Sequence, residues 1–199
     1  MRTVTGLFDD YADARSVVNE LESAGIPSDD ISIVSNNGRD QDYTSGAAEG
    51  AATGAGIGAA VGGTGGLLAG LGLMAIPGVG PVVAAGWLVA TAAGAAAGAL
   101  AGGAAGGLIG SLTNSGVSEE DAHLYAEGVR RGGTLVTARV DESRAAEAEA
   151  ILRRSNWVDP TERRRAYMEE GWTRFDDSLD PYSPEQIEQE RNRYRRNAL

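Results

Sequence analysis

The chain has no cysteine, no lysine and a single histidine in 199 residues. Without cysteine there can be no disulfide scaffold, thiolate zinc site, iron–sulfur cluster or cysteine nucleophile. Without lysine there can be no Walker phosphate loop, Schiff-base chemistry or protein-kinase active site. The 17 basic residues are all arginine, set against 28 acidic ones, and the net charge is −11. An acidic chain is a poor general binder of phosphate backbones, so nucleic acid is not an expected partner. One histidine rules out a multi-histidine metal centre and narrows acid–base catalysis. The expectation is a protein that is not an enzyme, with no catalytic residues, no metal ligands, no cofactor and no small-molecule substrate.

What is present is an uneven distribution of charge. Residues 50–118 carry no charged side chain, and Glu49 and Glu119 bracket them. The chain divides into a first half-domain at 1–45, an inserted Gly/Ala-rich segment at 46–116, a second half-domain at 117–159 and a charged tail at 160–199. Residues 3–8 alternate as a strand with Val4 and Phe8 on one face, and Asp9 or Asp10 can cap a helix. Ala14, Val17, Val18, Leu21 and Ala24 follow at helical spacing, and Gly25 and Pro27 close that helix. Ile31, Ile33 and Val34 form a second strand ended by Asn36-Asn37-Gly38. In the second half Ser118-Glu119-Glu120-Asp121 opens a helix to about Arg131. A strand at 135–140, a helix bearing Ala145, Ala148, Ile151 and Leu152, and an edge strand at Asn156, Trp157 and Val158 complete it. Two such halves predict an α+β, ferredoxin-like split βαβ domain: a four-stranded antiparallel sheet with helices on one face.

Glycine recurs every four residues in the insertion, at Gly46, Gly50, Gly54, Gly58, Gly62, Gly66 and Gly70. After Pro77-Gly78-Val79-Gly80-Pro81 the spacing resumes at Gly86, Gly94, Gly98, Gly102, Gly106 and Gly110, with Ala90 filling one place. Side-chain-free ridges let helices approach closely. The spacing therefore predicts a glycine-zipper helical hairpin with its turn at 76–81, formed by Pro77, Gly78, Gly80 and Pro81. Its legs, residues 50–75 and 82–112, would be roughly 39 and 46 Å long, against about 30 Å of hydrocarbon. That length predicts membrane lipid as a partner, with both termini cytoplasmic. Low transfer energy from Gly and Ala, sparse Leu, Ile and Val in the second leg and the absence of flanking arginine clusters point to the alternative, a soluble cytoplasmic oligomer whose core is the hairpin.

Several patterns have a functional and a plain reading. Gly54 to Ala59 and Gly70 to Ala75 match a loose dinucleotide pattern, but neither follows a strand, and Gly/Ala-rich chains produce such matches by chance. Asp9-Asp10 and Asp141-Glu142 could hold a divalent cation; helix capping explains them equally. His123 is a lone first-turn histidine. Arg130-Arg131 could meet an anionic headgroup, or complement a helix C-terminus. In the tail, Arg163-Arg164-Arg165 with Tyr167-Met168 suit a short helix, and Ser183-Pro184-Glu185-Gln186 opens a polar helix near 184–196. Trp172, Phe175 and Tyr182 could anchor on a partner or lipid; the plain reading is a solvated, flexible tail.

The start Val4-Thr5-Gly6-Leu7-Phe8-Asp9-Asp10, with residues 14–25 and 31–35, resembles the general stress protein 17M-like (YflT-like, heat-induced stress protein) domain of bacteria. The stretches 76–86, 116–122 and 125–133 are similar to the same glycine-rich group. The resemblance covers residues 3 to about 158. It implies stress-linked expression and no established reaction, so no catalytic residue carries over. The combined expectation is a non-enzymatic general-stress protein whose glycine-zipper hairpin anchors in or packs at the cytoplasmic membrane. The alternatives are a soluble interaction module and a small-ligand sensor domain.

Overall fold

The computed structural model describes residues 1–36, 72–76, 78–88, 91 and 107–197. Five strands form one antiparallel sheet: β1 (Arg2–Phe8), β2 (Ile31–Ser35), β3 (Gly72–Ile76), β4 (Gly80–Gly86) and β5 (Thr134–Val140). Among the described residues six complete helices accompany them: α1 (Tyr11–Ser23), α2 (Leu108–Asn114), α3 (Glu119–Arg130), α4 (Ala145–Arg154), α5 (Pro160–Glu169) and α6 (Pro184–Asn197).

The strand order is β1-β5-β2-β4-β3. β1 and β2, joined by α1, are therefore not neighbours: β5 lies between them and pairs antiparallel with both. Val4 faces Ala138 and Leu7 faces Leu135 on one side of β5; Ile33 faces Val136 on the other. Alternation along each strand separates two cores. On one face Val4, Phe8, Ile31, Ile33, Val136 and Ala138 pack under α1 and α4. On the other, Leu7, Val34, Val82, Ala84 and Leu135 pack under α2 and α3.

The mixed α+β class stands, and two details of the expectation change. The sheet has five strands, because the apolar 72–86 segment extends it beyond β2. Helices cover both faces, because β5 is apolar on both, with Leu135 and Val136 each 0 % exposed. The expected last strand is a single bridge, Phe8 to Trp157, with the Val158 N–H donating to the Leu7 carbonyl at 2.9 Å.

The helical hairpin is corrected where it is described. Residues 72–76 and 80–86 are a β-hairpin, with Met74 facing Val82 and Ile76 facing Gly80. Gly78 and Gly80 turn the chain at φ +72° and +94°. Four residues is a multiple of the strand period of two as well as nearly one helical turn, so the glycine spacing fits either backbone. Val82 and Val83 are β-branched and favour the strand. Gly86 belongs to β4, opposite Ser32: a Cβ there would stand 2.1 Å from the Ile31 carbonyl oxygen. Gly110 lies in α2 with nothing within 4 Å of a Cβ among the described residues, so it packs closely on no described helix. Gly50, Gly54, Gly58, Gly62, Gly66, Gly70, Gly94, Gly98, Gly102, Gly106 and Pro77 lie outside the described residues. Among the described residues, no helix is long and apolar enough to cross a membrane.

Candidate functional site

The densest chemistry in the described residues lies where the tail meets the end of α3. α3 closes at Gly132, φ +92°, and leaves Glu127, Arg130 and Arg131 on its last turn. All three are buried: Glu127 is 1 % exposed and both arginines 7 %. Burial at that level demands partners, and the tail supplies them. Arg131 donates from Nε to Glu127 at 2.7 Å, and from Nη1 to Glu170 at 2.5 Å and Glu190 at 3.2 Å. Its guanidinium lies 4.1 Å from the centroid of the Tyr167 ring, which is fully buried. Arg130 donates to the Asp180 carbonyl at 2.9 Å and lies 5.0 Å from the centre of the Tyr182 ring.

A second clamp joins α5 to the start of α1. The two terminal nitrogens of Arg163 meet the two oxygens of Asp9 at 2.8 and 2.7 Å, a bidentate pair. The same guanidinium stacks 3.7 Å from the centre of Tyr194 on α6. Tyr167 makes edge contacts with Trp172 and Tyr194. Burial pushes the Tyr167 hydroxyl up to about 12, against the pull of Arg163. Burial lowers the Arg131 and Arg163 guanidinium pKa values, but the carboxylate hydrogen bonds outweigh it and hold both well above the ordinary value.

Between α5 and α6 the chain passes over the β3–β4 turn. Phe175 is buried in the same core as Val79 and Val82. A Cβ on Gly78 would stand 2.7 Å from Asp177 Cα, and one on Gly80 would stand 2.9 Å from Pro181. Gly132 is filled in the same way by Ile187 of α6. Asn36 ties the seam to the sheet, donating to the Val79 carbonyl at 3.1 Å and the Arg130 carbonyl at 3.2 Å. The turn residues Gly78, Gly80 and Pro81 thus turn a β-hairpin, and the two glycines seat the C-terminal strap.

The plain reading of the tail as solvated is corrected. Phe175 and Tyr182 anchor on the body of this chain, Trp172 packs on Tyr167 within the tail, and Arg130-Arg131 face the tail. Asp9 is taken up by Arg163, and Glu142 meets Arg2 at 3.7 Å. No group of three or more potential metal-binding side chains occurs among the described residues. His123 lies 3.8 Å from Glu119, beside a cavity of about 430 Å³ lined also by Arg164 and Trp172.

Sequence reasoning missed Glu127, Glu170, Glu190 and Tyr194, and placed Tyr167 in a short helix without a role. Their signal was positional: Arg163, Tyr167 and Glu170 share one helical face, as do Ile187, Glu190 and Tyr194. A hydrophobicity pattern does not see a buried face built from arginine, glutamate and tyrosine.

The larger concave surface runs along the outer edge of β1. About 790 Å³ lies between residues 115–118 with Tyr125 on one side and Glu149, Leu152 and Trp157 on the other. Its floor is β1, the first strand of the stretch that carries the family signal. Residues 3–75 match the family model of the heat-induced stress protein YflT domain. The YflT match takes in β1, α1 and β2 and ends within β3, so α2 to α6 and the tail strap lie outside it. The YflT domain suggests a general stress-associated role. No curated protein and no solved structure matches the chain.

Proposed function

We propose that the protein is a non-enzymatic, stress-associated interaction module, cytoplasmic and folded outside the bilayer. The observation that carries this reading is the use made of its buried charge. Glu127, Arg131, Arg163 and Asp9 are all engaged in holding the tail to the body. Perturbed groups at a reaction centre need a free face toward substrate; these are closed in by their partners. The open β1 edge is left as the surface for recognition.

Topology supports the position outside the bilayer. β2 ends at Ser35 and β3 begins at Gly72 of the same sheet; β4 ends at Gly86 and α2 begins at Leu108 on that sheet's face. One crossing between either pair of ends would part these contacts by about 30 Å of hydrocarbon. We read the core as ferredoxin-like because β5 lies between β1 and β2 and the Trp157 bridge lies outside β1.

The test is fractionation of the full chain expressed in a bacterium, with a carbonate wash before detergent. Recovery without detergent is expected. Recovery in detergent alone would overturn the reading and restore an integral anchor.

A further inference from the structure

We propose that the groove along β1 receives an extended, basic segment of another protein, which joins the sheet as a strand antiparallel to β1. The inference deepens the interaction-module reading and rests on it. The chain itself begins this lane. Trp157 bridges antiparallel to Phe8, and the Val158 N–H donates to the Leu7 carbonyl. The chain then leaves β1, because Asp159 caps α5 and Pro160 opens it. Among the described residues no further backbone hydrogen bond reaches the outer edge of β1. Backbone groups alternate along a strand, so the N–H and C=O of Thr3 and Thr5 point outward with those of Leu7, while Arg2, Val4 and Gly6 bond to β5. An edge with unpaired amides is a template for another strand.

The walls select an occupant without layers of its own. Residues 115–118 with Tyr125 rise on one side of β1, and Glu149, Leu152 and Trp157 on the other, around about 790 Å³. A folded sheet carries helices or a second sheet alongside its edge strand, and these walls keep it out. A single extended segment fits between them, as Trp157-Val158 does at the closed end of the lane.

The chemistry of that segment follows from the charge on each wall. Side chains of an added strand alternate between the two. Thr3 and Thr5 share the face of Leu7, which packs with Val117 and Tyr125; Val4 shares that of Leu152 and Trp157. The first wall, with the start of α5, brings Asp121 and Asp159 to the groove. Arg164 serves both Asp121, at 2.6 Å, and Glu120, at 3.2 Å, so negative charge stays in surplus there. On the second wall Arg2 answers Glu149 at 2.9 Å and Glu142 at 3.7 Å. Arg153 lies 5.0 Å from the centre of the Trp157 ring, so two guanidiniums balance two carboxylates. The segment that fits alternates accordingly: arginine or lysine toward Asp121 and Asp159, and β-branched apolar residues toward Leu152 and Trp157. The net charge of −11 draws such a segment in from solution.

The probe is a capped peptide of alternating arginine and valine, about six residues long and so spanning about 20 Å when extended. It is titrated to about 1 mM against the isotope-labelled full chain, a range that covers weak peptide binding. Amide exchange read by NMR should slow at least about tenfold at Thr3 and Thr5, with Val4 and Gly6, already bonded to β5, unchanged. A peptide with glutamate in place of arginine should bind at least about tenfold more weakly, and salt at about 0.5 M should weaken the basic peptide several-fold. Thr3→Pro removes an outward N–H while sparing the bonds to β5. The dissociation constant should then rise about tenfold, with the thermal midpoint little changed. Thr3 and Thr5 amides already protected in the free chain, equal binding of the glutamate peptide, or binding indifferent to Thr3→Pro would each overturn the proposal. A chain recovered without detergent that binds no peptide sinks this proposal alone, whereas detergent-only recovery sinks the module reading beneath it.

Discussion

Replacing Arg131 with methionine tests whether the ionic cluster fastens the tail. The guanidinium is 7 % exposed and is shared among Glu127, Glu170 and Glu190, themselves 1 %, 31 % and 11 % exposed. Methionine keeps an apolar stem but removes every charge-assisted bond. Glu127 is left facing only Arg130, at 3.5 Å. Breaking a buried pair by removing one member costs about 3–5 kcal/mol, because the other charge stays behind. Glu170 is partly solvated and recovers some of that in water, so the lower end applies, about 3 kcal/mol. For a chain of 199 residues, each kcal/mol moves Tm by about 2–4 °C, giving a fall of about 6–12 °C.

Exchanging both Arg131 and Glu127 for methionine should cost less than Arg131→Met alone. The stranded carboxylate is then gone, Glu170 and Glu190 keep Arg193, and Arg130 keeps the Asp180 carbonyl. A swap of a whole buried pair for apolar groups is often neutral. Thermal melts give the total effect, and trypsin gives the local one: a lysine-free chain is cut only after arginine, and Arg174 is exposed on the strap. In Arg131→Met, cleavage there should outpace global unfolding, as a low-stability segment opens first. The reasoning is refuted if Arg131→Met melts within about 3 °C of wild type with its tail no more readily cut. A double variant as unstable as the single would refute it too.

Two further outcomes follow from the same structure. Gly86→Ala and Gly110→Ala should act in opposite directions in paired melts. The first puts a Cβ 2.1 Å from the Ile31 carbonyl at φ +94° and should cost about 2 kcal/mol or more; the second, in α2 with open space, should stabilise by about 0.5–1 kcal/mol. Alkaline stability should depend on Tyr167, whose pKa burial raises from 10.0 to about 12. The folded state then holds the proton more tightly than the unfolded state, so the contribution is full below pH 10 and is lost as pH rises through 12. Tyr167→Phe should flatten the loss of Tm across that interval, and an unchanged pH profile would count against it.

The legible parts of the sequence were those with a single physical reading. Ala14, Val17, Val18 and Leu21 repeat at helical spacing and are all buried at 0 % exposure in α1. Ser118 accepts from the Asp121 N–H at 3.1 Å, the cap its motif announces. The insertion was misread at 72–86 because a four-residue glycine period fits a helix and a strand alike, and only register against β2 decides. Register is a long-range property, and so is the tail seam. Glu127 is an ordinary helix glutamate until Glu170 at the end of α5 and Glu190 of α6 join it on Arg131. The β1 edge was half visible: its alternation was clear, but not that Trp157 would leave most of the edge open.

The limits of the family match lead to a last prediction about folding units. The match ends at residue 75, yet β1 and β2 do not touch; both hydrogen-bond to β5, at Thr134–Val140. Cutting after the match removes the central strand, along with Val136 and Ala138 from the core beneath α1. A fragment of residues 1–76 would keep α1 but leave both inner strand edges unpaired and Ile31, Ile33 and Val4 uncovered. An isolated strand–helix–strand with no sheet between its strands cannot repay the entropy of ordering it. Circular dichroism of that fragment should show no cooperative melt, while the full chain melts as a unit. Adding a second fragment, residues 77–199, should restore structure, since it carries β4, β5 and the helices of the other face. A cooperative melt from residues 1–76 alone would mean that the matched stretch closes on itself by another pairing, and the β1-β5-β2 order would then not be required for its stability.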